Sequence, residues 1–228
     1  MQKGIKFRIY PNREQKNLIH QTLGCCRLIY NRGLAMRKES YEEGKKIGYT
    51  QTSAMLTELK RQEEFAFLKA ADSIALQQSL RDLDRSFVNF FQKRASYPTF
   101  KSKHNRFQSY RTVNQKDNIR IVGRYIKLPK LGFVKIRQSM EVGKINHVTI
   151  EYTPAGKYFA VLNIDFEPEP RPNAGGTIGI DVGIKAFYSD SNGNTVSNPR
   201  YLERSMRKLI REQRRLSRKQ KDSHNRGK

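Results

Sequence analysis

Apolar and basic side chains alternate over Ile5-Lys6-Phe7-Arg8-Ile9, a period of two that predicts a half-buried strand ended by Pro11-Asn12. The period then changes. From Arg13 to about Glu43, Leu18, Ile19, Leu23, Cys26, Ile29, Tyr30 and Leu34 recur at three-to-four spacing behind Asn12 as a cap, which predicts a helix bent near Gly24. The spacing returns over Thr52 to about Arg61 and over Ser73 to about Arg94. In the latter stretch Leu76, Leu80, Leu83, Phe87 and Phe90 follow the capping Asp72. Residues 13–94 read as a helical bundle or hairpin.

After Tyr97-Pro98-Thr99-Phe100 the pattern shortens to β-type runs at Ile119–Val122, Tyr125–Leu128, Phe133–Arg137, His147–Tyr152 and Tyr158–Phe166, with turns at Gly123-Arg124 and Pro154–Lys157. These predict a small antiparallel sheet or barrel that the opening strand is placed to join, making the helices an insertion. Pro168, Pro170, Pro172, Gly175 and Gly176 read as a linker with a boundary near residue 171. Beyond it, Thr177–Gly183 reads as a buried strand carrying one acid. Phe187-Tyr188-Ser189 is its antiparallel neighbour, turning at Ser191–Asn194. From Tyr201 a basic helix carries a narrow apolar stripe of Leu202, Met206, Leu209, Ile210 and Leu216. So few elements bury too little surface for an independent core, so this last region reads as the beginning of a domain.

Charge gives the first indication of function. The 228 residues hold 45 Lys and Arg against 21 Asp and Glu, a formal net charge of +24. That excess favours a polyanionic partner, nucleic acid first. There is no apolar run long enough for a membrane span and no apolar stretch of a signal peptide near the N-terminus, so the expectation is a cytoplasmic, nucleoid-associated protein without a membrane partner. Cys25 and Cys26 are adjacent, a spacing unsuited to a structural disulfide and lacking the paired motifs of a zinc site, so both are expected to be reduced packing residues.

The charge is concentrated twice. Twelve Lys and Arg between residues 101 and 147, among them Lys101, Lys103, Arg106, Arg111, Lys127 and Lys130, interleave with Phe107, Tyr110, Tyr125 and Phe133, against two acids. Such a mixture suits phosphate neutralisation combined with stacking, the alternative being a solvated sheet with aromatics inward. Another twelve follow residue 199, including Arg207, Arg211, Arg214, Arg215, Arg218 and Lys219, against three acids. Their mutual repulsion also calls for a polyanion, unless they form a merely solvated helix face. Asp181, between Ile180 and Val182, is costly to bury unless paired or bound to a metal.

Phe7-Arg8-Ile9-Tyr10-Pro11, Leu23-Gly24-Cys25-Cys26-Arg27, Tyr30-Asn31 and Ala75–Leu83 occur in order along the chain. They are followed by Phe90-Phe91, Tyr97–Lys101, Lys127–Gly132, Gly179–Lys185 and Arg214–Lys219. Taken together, the sequence resembles the TnpB/OrfB family of insertion-sequence-encoded RNA-guided nucleases, related to type V CRISPR effectors. The resemblance implies an α+β architecture. A wedge domain, an OB-like β-barrel, is formed by residues 1–12 and 95–170. An inserted, helix-turn-helix-like recognition lobe occupies 13–94, and residues 172–228 begin an RNase H-like RuvC domain.

It also implies three carboxylates holding Mg²⁺, of which Asp181 matches the first. The remaining ligands and the family's zinc-binding cysteine motif match nothing here, so the resemblance implies a cleavage-incompetent truncation, completed only if a second chain supplies the rest of RuvC. Tyr49, Ser53 and Gln77 match positions near the duplex motif beside the target, their alternative role being packing. The basic residues between Lys101 and Lys130 match contacts to guide RNA or heteroduplex backbone. Guide RNA and double-stranded target DNA are the implied partners. Two other classes stay open: a nuclease-dead RNA-guided or plain DNA-binding repressor, and, from charge alone, a basic ribosome-associated protein.

Overall fold

Period-two alternation becomes a central strand. In the computed structural model, which describes residues 1–137, 142–168 and 175–227, the first compact unit spans Met1–Pro168 and opens with β1 (Gln2–Tyr10). Helices α1 (Arg13–Glu42), α2 (Tyr49–Leu59) and α3 (Ser73–Phe91) follow, with a 3-10 segment at Glu63–Lys69 between the last two. Six strands complete the unit: β2 (Gln108–Val113), β3 (Arg120–Val122), β4 (Tyr125–Leu128), β5 (Gly132–Arg137), β6 (Ile145–Tyr152) and β7 (Tyr158–Asp165). The expected linker around residue 171 lies outside the described residues.

All ladders are antiparallel, in the order β2-β6-β7-β1-β5-β4-β3. The opening strand does join the later sheet, with Ile5 opposite Leu162 of β7 and Ile9 opposite Ile136 of β5. The sheet is curled, with β2 and β3 as its edges. At one end the Asn114 side chain ties the β2 edge to the start of β3. It donates to the carbonyls of Ile119 and Ile145 at 3.1 and 2.9 Å and accepts from the Ile119 amide at 3.0 Å.

Alternate residues point to one core: Ile5, Phe7 and Ile9 of β1 and Ala160, Leu162 and Ile164 of β7 join Ile19, Leu23, Ile29, Leu76 and Leu80 of the helices. Helices and sheet therefore share their burial. Each large side chain removed from water there contributes roughly 1.5–3 kcal/mol. Asn12 caps α1 in a reciprocal pair with Gln15, whose amide also reaches the carbonyls of Leu131 and Phe133 at 3.0 and 2.9 Å and so fastens the helix start to β5. Asp72 caps α3 through the Ile74 amide at 3.0 Å. Helix α1 continues unbroken through Gly24. Cys25 and Cys26 are free and buried, and burial pushes both thiols up from their usual pKa.

Gly33 sets the approach of α1 to α3. A Cβ there would lie 2.9 Å from a Leu80 methyl and 3.0 Å from a Leu83 methyl, so only hydrogen fits without displacement. Gly33→Leu is expected to overpack this seam and cost about 1–3 kcal/mol, read as a lower urea midpoint. An unchanged midpoint would show that the two helices separate freely.

The second unit is smaller. Strands β8 (Ile180–Asp181), β9 (Ala186–Asp190) and β10 (Thr195–Ser197) pair in the order β10-β9-β8, followed by α4 (Tyr201–Ser217). Asp190 organises the β9–β10 turn by accepting from the amides of Asn192 and Asn194 at 2.9 and 2.8 Å. The expected buried strand is corrected here. Only Ile180 and Asp181 of it pair, on one side, and Ile180 and Val182 remain 60% and 71% exposed. None of residues 175–224, 226 and 227 is buried, because so short a sheet has no second layer within the unit.

Candidate nucleic-acid interface

The basic residues expected to form one wedge face are divided between different parts of the first unit. Lys101, Lys103 and Arg106 lie on the segment between α3 and β2. There the Asn31 side chain accepts from the Lys101 amide at 2.8 Å and donates to its carbonyl at 2.9 Å, pinning the segment to α1. The Lys101 ammonium sits 4.1 Å from the Tyr30 ring centre, and burial lowers its pKa against the opposing pull of Asp82. Arg111 pairs with Asp82 of α3. With Arg27, Asn105 and Gln108, these three residues line a cavity of about 140 Å³. Lys103 and Arg106 remain exposed beside Phe107.

Lys127 lies elsewhere. It is on β4, directly opposite Arg120 of β3 and Phe133 of β5, with its side chain on the face turned away from the core. Lys130 occupies the following turn with φ +64°. The same outward face carries Lys6, Arg8, Tyr10, Lys135, Arg137 and Phe159; the sequence places Lys6 and Arg8 on an alternating strand and Lys135 and Arg137 in the basic run, but does not show that they share one surface. The signal was present: these are the alternate positions to the buried ones, but they face one another only once β1 is known to lie between β5 and β7.

Tyr49 and Ser53 lie on α2 and Gln77 on α3, two helices that pack against each other. Helices α2 and α3 run antiparallel, with the Arg81 guanidinium 4.8 Å from the Tyr49 ring centre at one end and the Lys60 amine 3.2 Å from the Ser73 hydroxyl at the other. Ser53 and Gln77, each one turn in from the Tyr49 and Arg81 contact, fall on facing turns. Arg81, four residues after Gln77 and within the Ala75–Leu83 motif, joins Tyr49 at this seam, a role that the sequence alone does not assign to it.

Arg207, Arg211 and Arg214 of α4 and Arg218 at its C-cap recur at helical spacing opposite the stripe of Leu202, Met206, Leu209 and Leu216, all exposed. Arg207 pairs with Glu203, and Arg211 and Arg215 with Glu212. Among the described residues Arg204, Lys208, Arg214 and Arg218 have no carboxylate within ion-pair distance. Lys219 follows the helix, its amide bonded to the Leu216 carbonyl at 3.1 Å. Asp181 is exposed and opposite Ser189. No group of three or more His, Cys, Asp or Glu among the described residues is placed to hold a metal, so this donor set does not by itself fit Mg²⁺. No helix among them is long and apolar enough to cross a membrane.

Residues 1–46 match the family model described as a helix-turn-helix domain of OrfB proteins of the IS605 type, and residues 147–228 match the model of the same proteins described as "Probable transposase". The chain belongs to the TnpB/OrfB family of insertion-sequence proteins. Over 232 residues it is 36% identical to a Streptomyces pristinaespiralis protein named "Putative RNA-guided DNA endonuclease", covering all of this chain and 58% of that one. Over 228 residues it is 34% identical to Escherichia coli InsQ, which carries the same description, covering 97% and 55% respectively. This OrfB-family chain thus spans a little over half the length of those relatives. A chain of the CRISPR-Cas12f ternary complex is similar at 15% identity and a TM-score of 0.43, over 93% of this chain and 54% of that one. Within the part matched as helix-turn-helix, the OrfB-family chain forms one strand and one continuous helix, and α2 begins only at Tyr49.

Proposed function

We propose that the chain is the nucleic-acid-holding portion of an RNA-guided DNA endonuclease. Its sheet acts as an OB-like wedge for guide RNA, and its helices present Tyr49, Ser53, Gln77 and Arg81 to the target duplex. The segment from residue 175 begins a RuvC-like domain in which Asp181 is one Mg²⁺ ligand. The carrying observation is the distribution of unpaired cations over two exposed surfaces, the outward sheet face and α4, in a chain related along its length to proteins named as such endonucleases. In this reading the portion recognises nucleic acid, and the carboxylates that complete a Mg²⁺ site around Asp181 come from elsewhere, in the same polypeptide or a second chain. The second reading is a nuclease-dead RNA-guided or plain DNA-binding repressor, which the same exposed cations would serve equally.

In filter binding to a structured RNA, affinity is expected to fall steeply with salt, and Lys127→Ala and Arg215→Ala each to reduce the log–log slope by about one unit. A salt-independent affinity would remove the reading. Incubated with that RNA, Mg²⁺ and duplex DNA, the chain is expected to leave the duplex intact. Nicking abolished by Asp181→Ala would place a complete nuclease in the chain, and guide-dependent protection of one DNA site without cutting would select the repressor.

A further inference from the structure

Outward-facing residues of the sheet form three cross-strand rows. Arg120, Lys127 and Phe133 make the first, Tyr125, Lys135 and Tyr10 the second, and Arg137, Arg8, Phe159 and Glu151 the third. Tyr10, Tyr125 and Phe133 are 48%, 47% and 51% exposed, large rings on a surface of a unit that has an ample core for them. Arg8 lies directly opposite Arg137, and Arg120 opposite Lys127, arrangements in which like charges repel unless an anion lies across them. The Arg8 guanidinium is wedged between the rings of Tyr10 and Phe159, 5.6 and 5.3 Å from their centres, and its Nε is buried without a hydrogen-bond partner. Six cations face one carboxylate, Glu151, which Lys6 holds at 2.5 Å.

We propose that this face is a stacking platform for an unpaired stretch of RNA, which deepens the reading of the chain as an RNA-holding module and rests on it. A duplex keeps its bases stacked on one another and offers only backbone to a flat face. An unpaired strand offers bases to the rings and phosphates to the cations alternating with them. Rows along a strand lie about 7 Å apart and strands about 4.8 Å apart, so ring and cation are spaced as base and phosphate are within one nucleotide. Glu151, whose second oxygen is not engaged by Lys6, favours RNA over DNA. Glu151 repels phosphate but accepts a hydrogen bond from a ribose 2′-hydroxyl, which DNA lacks.

The test is fluorescence anisotropy with unstructured RNA of about a dozen nucleotides, its DNA counterpart, a ribose-phosphate oligomer without bases and an A-form RNA duplex. Removing both rings, Tyr125→Ala with Phe133→Ala, is expected to weaken unstructured RNA by about tenfold or more with the salt slope unchanged. The base-free and duplex probes should be unaffected, and Tyr125→Phe with Phe133→Tyr should retain binding. Glu151→Gln should narrow the preference for RNA over DNA. If the ring-less variant, with an unaltered melting temperature, binds unstructured RNA as the parent does, the platform is overturned while RNA binding stands. Loss confined to the duplex would overturn it too, and equal affinity of the parent for the DNA counterpart would overturn the choice of RNA. A parent that binds none of the probes would sink the functional reading with it.

Discussion

A chain lacking Met1–Tyr10 is expected to lose the cooperative fold of its first unit. Strand β1 alone joins β7 to β5, so its removal leaves β2-β6-β7 and β5-β4-β3 as separate three-stranded pieces with newly exposed edges. Ile5, Phe7 and Ile9 leave the shared core with it, each worth roughly 1.5–3 kcal/mol. Against a domain stability of about 5–15 kcal/mol, that loss together with two unpaired ladders is decisive. Near-ultraviolet circular dichroism and urea titration read the outcome. A sharp transition at the parent's midpoint would mean that the two half-sheets hold without their bridge. The milder Phe7→Ala is expected to cost about 3–5 kcal/mol.

Replacing Arg207, Arg211, Arg214 and Arg218 together by Gln should be the most damaging change to nucleic-acid binding. These side chains share one face of α4 and its C-cap, and Gln keeps helix propensity while removing charge. Each lost phosphate contact removes about 0.7–0.9 from the salt slope, so the slope should drop by about three units. Near 0.1 M salt that corresponds to an affinity loss on the order of a thousandfold, relative to a high-salt limit where parent and variant converge. A slope reduced by less than one unit, with helicity intact, would place this face away from phosphates.

Much of the fold was legible where local chemistry decides it. Asn12 and Asp72 cap the helices expected of them, and the alternation in β1, β5 and β7 marks the buried sides correctly. Strand β2 went unread because Gln-Ser-Tyr-Arg-Thr-Val buries only Tyr110 and Thr112, and its partner β6 lies more than 30 residues on. The apolar run around Asp181 misled for the opposite reason: composition signals burial, but burial requires a second layer, which that unit does not supply. In the interface, charge located the basic segments but not their faces. Lys101 and Lys127 belong to one run of sequence, yet one is pinned to α1 and the other stands on the outward sheet, a distinction set by tertiary contacts.

The position of β1 also governs the order of events during synthesis. Its partner β7 lies roughly 150 residues downstream, about 7–30 s later at usual elongation rates. Helices α1 to α3, built from local contacts, are complete long before the sheet can close. Until then an edge alternating Ile, Phe and Ile emerges without a partner, and Lys6 and Arg8 between them act as gatekeepers against pairing with another nascent chain. The cations that face outward in the finished sheet therefore serve the chain first while it is still incomplete, by keeping its earliest strand soluble.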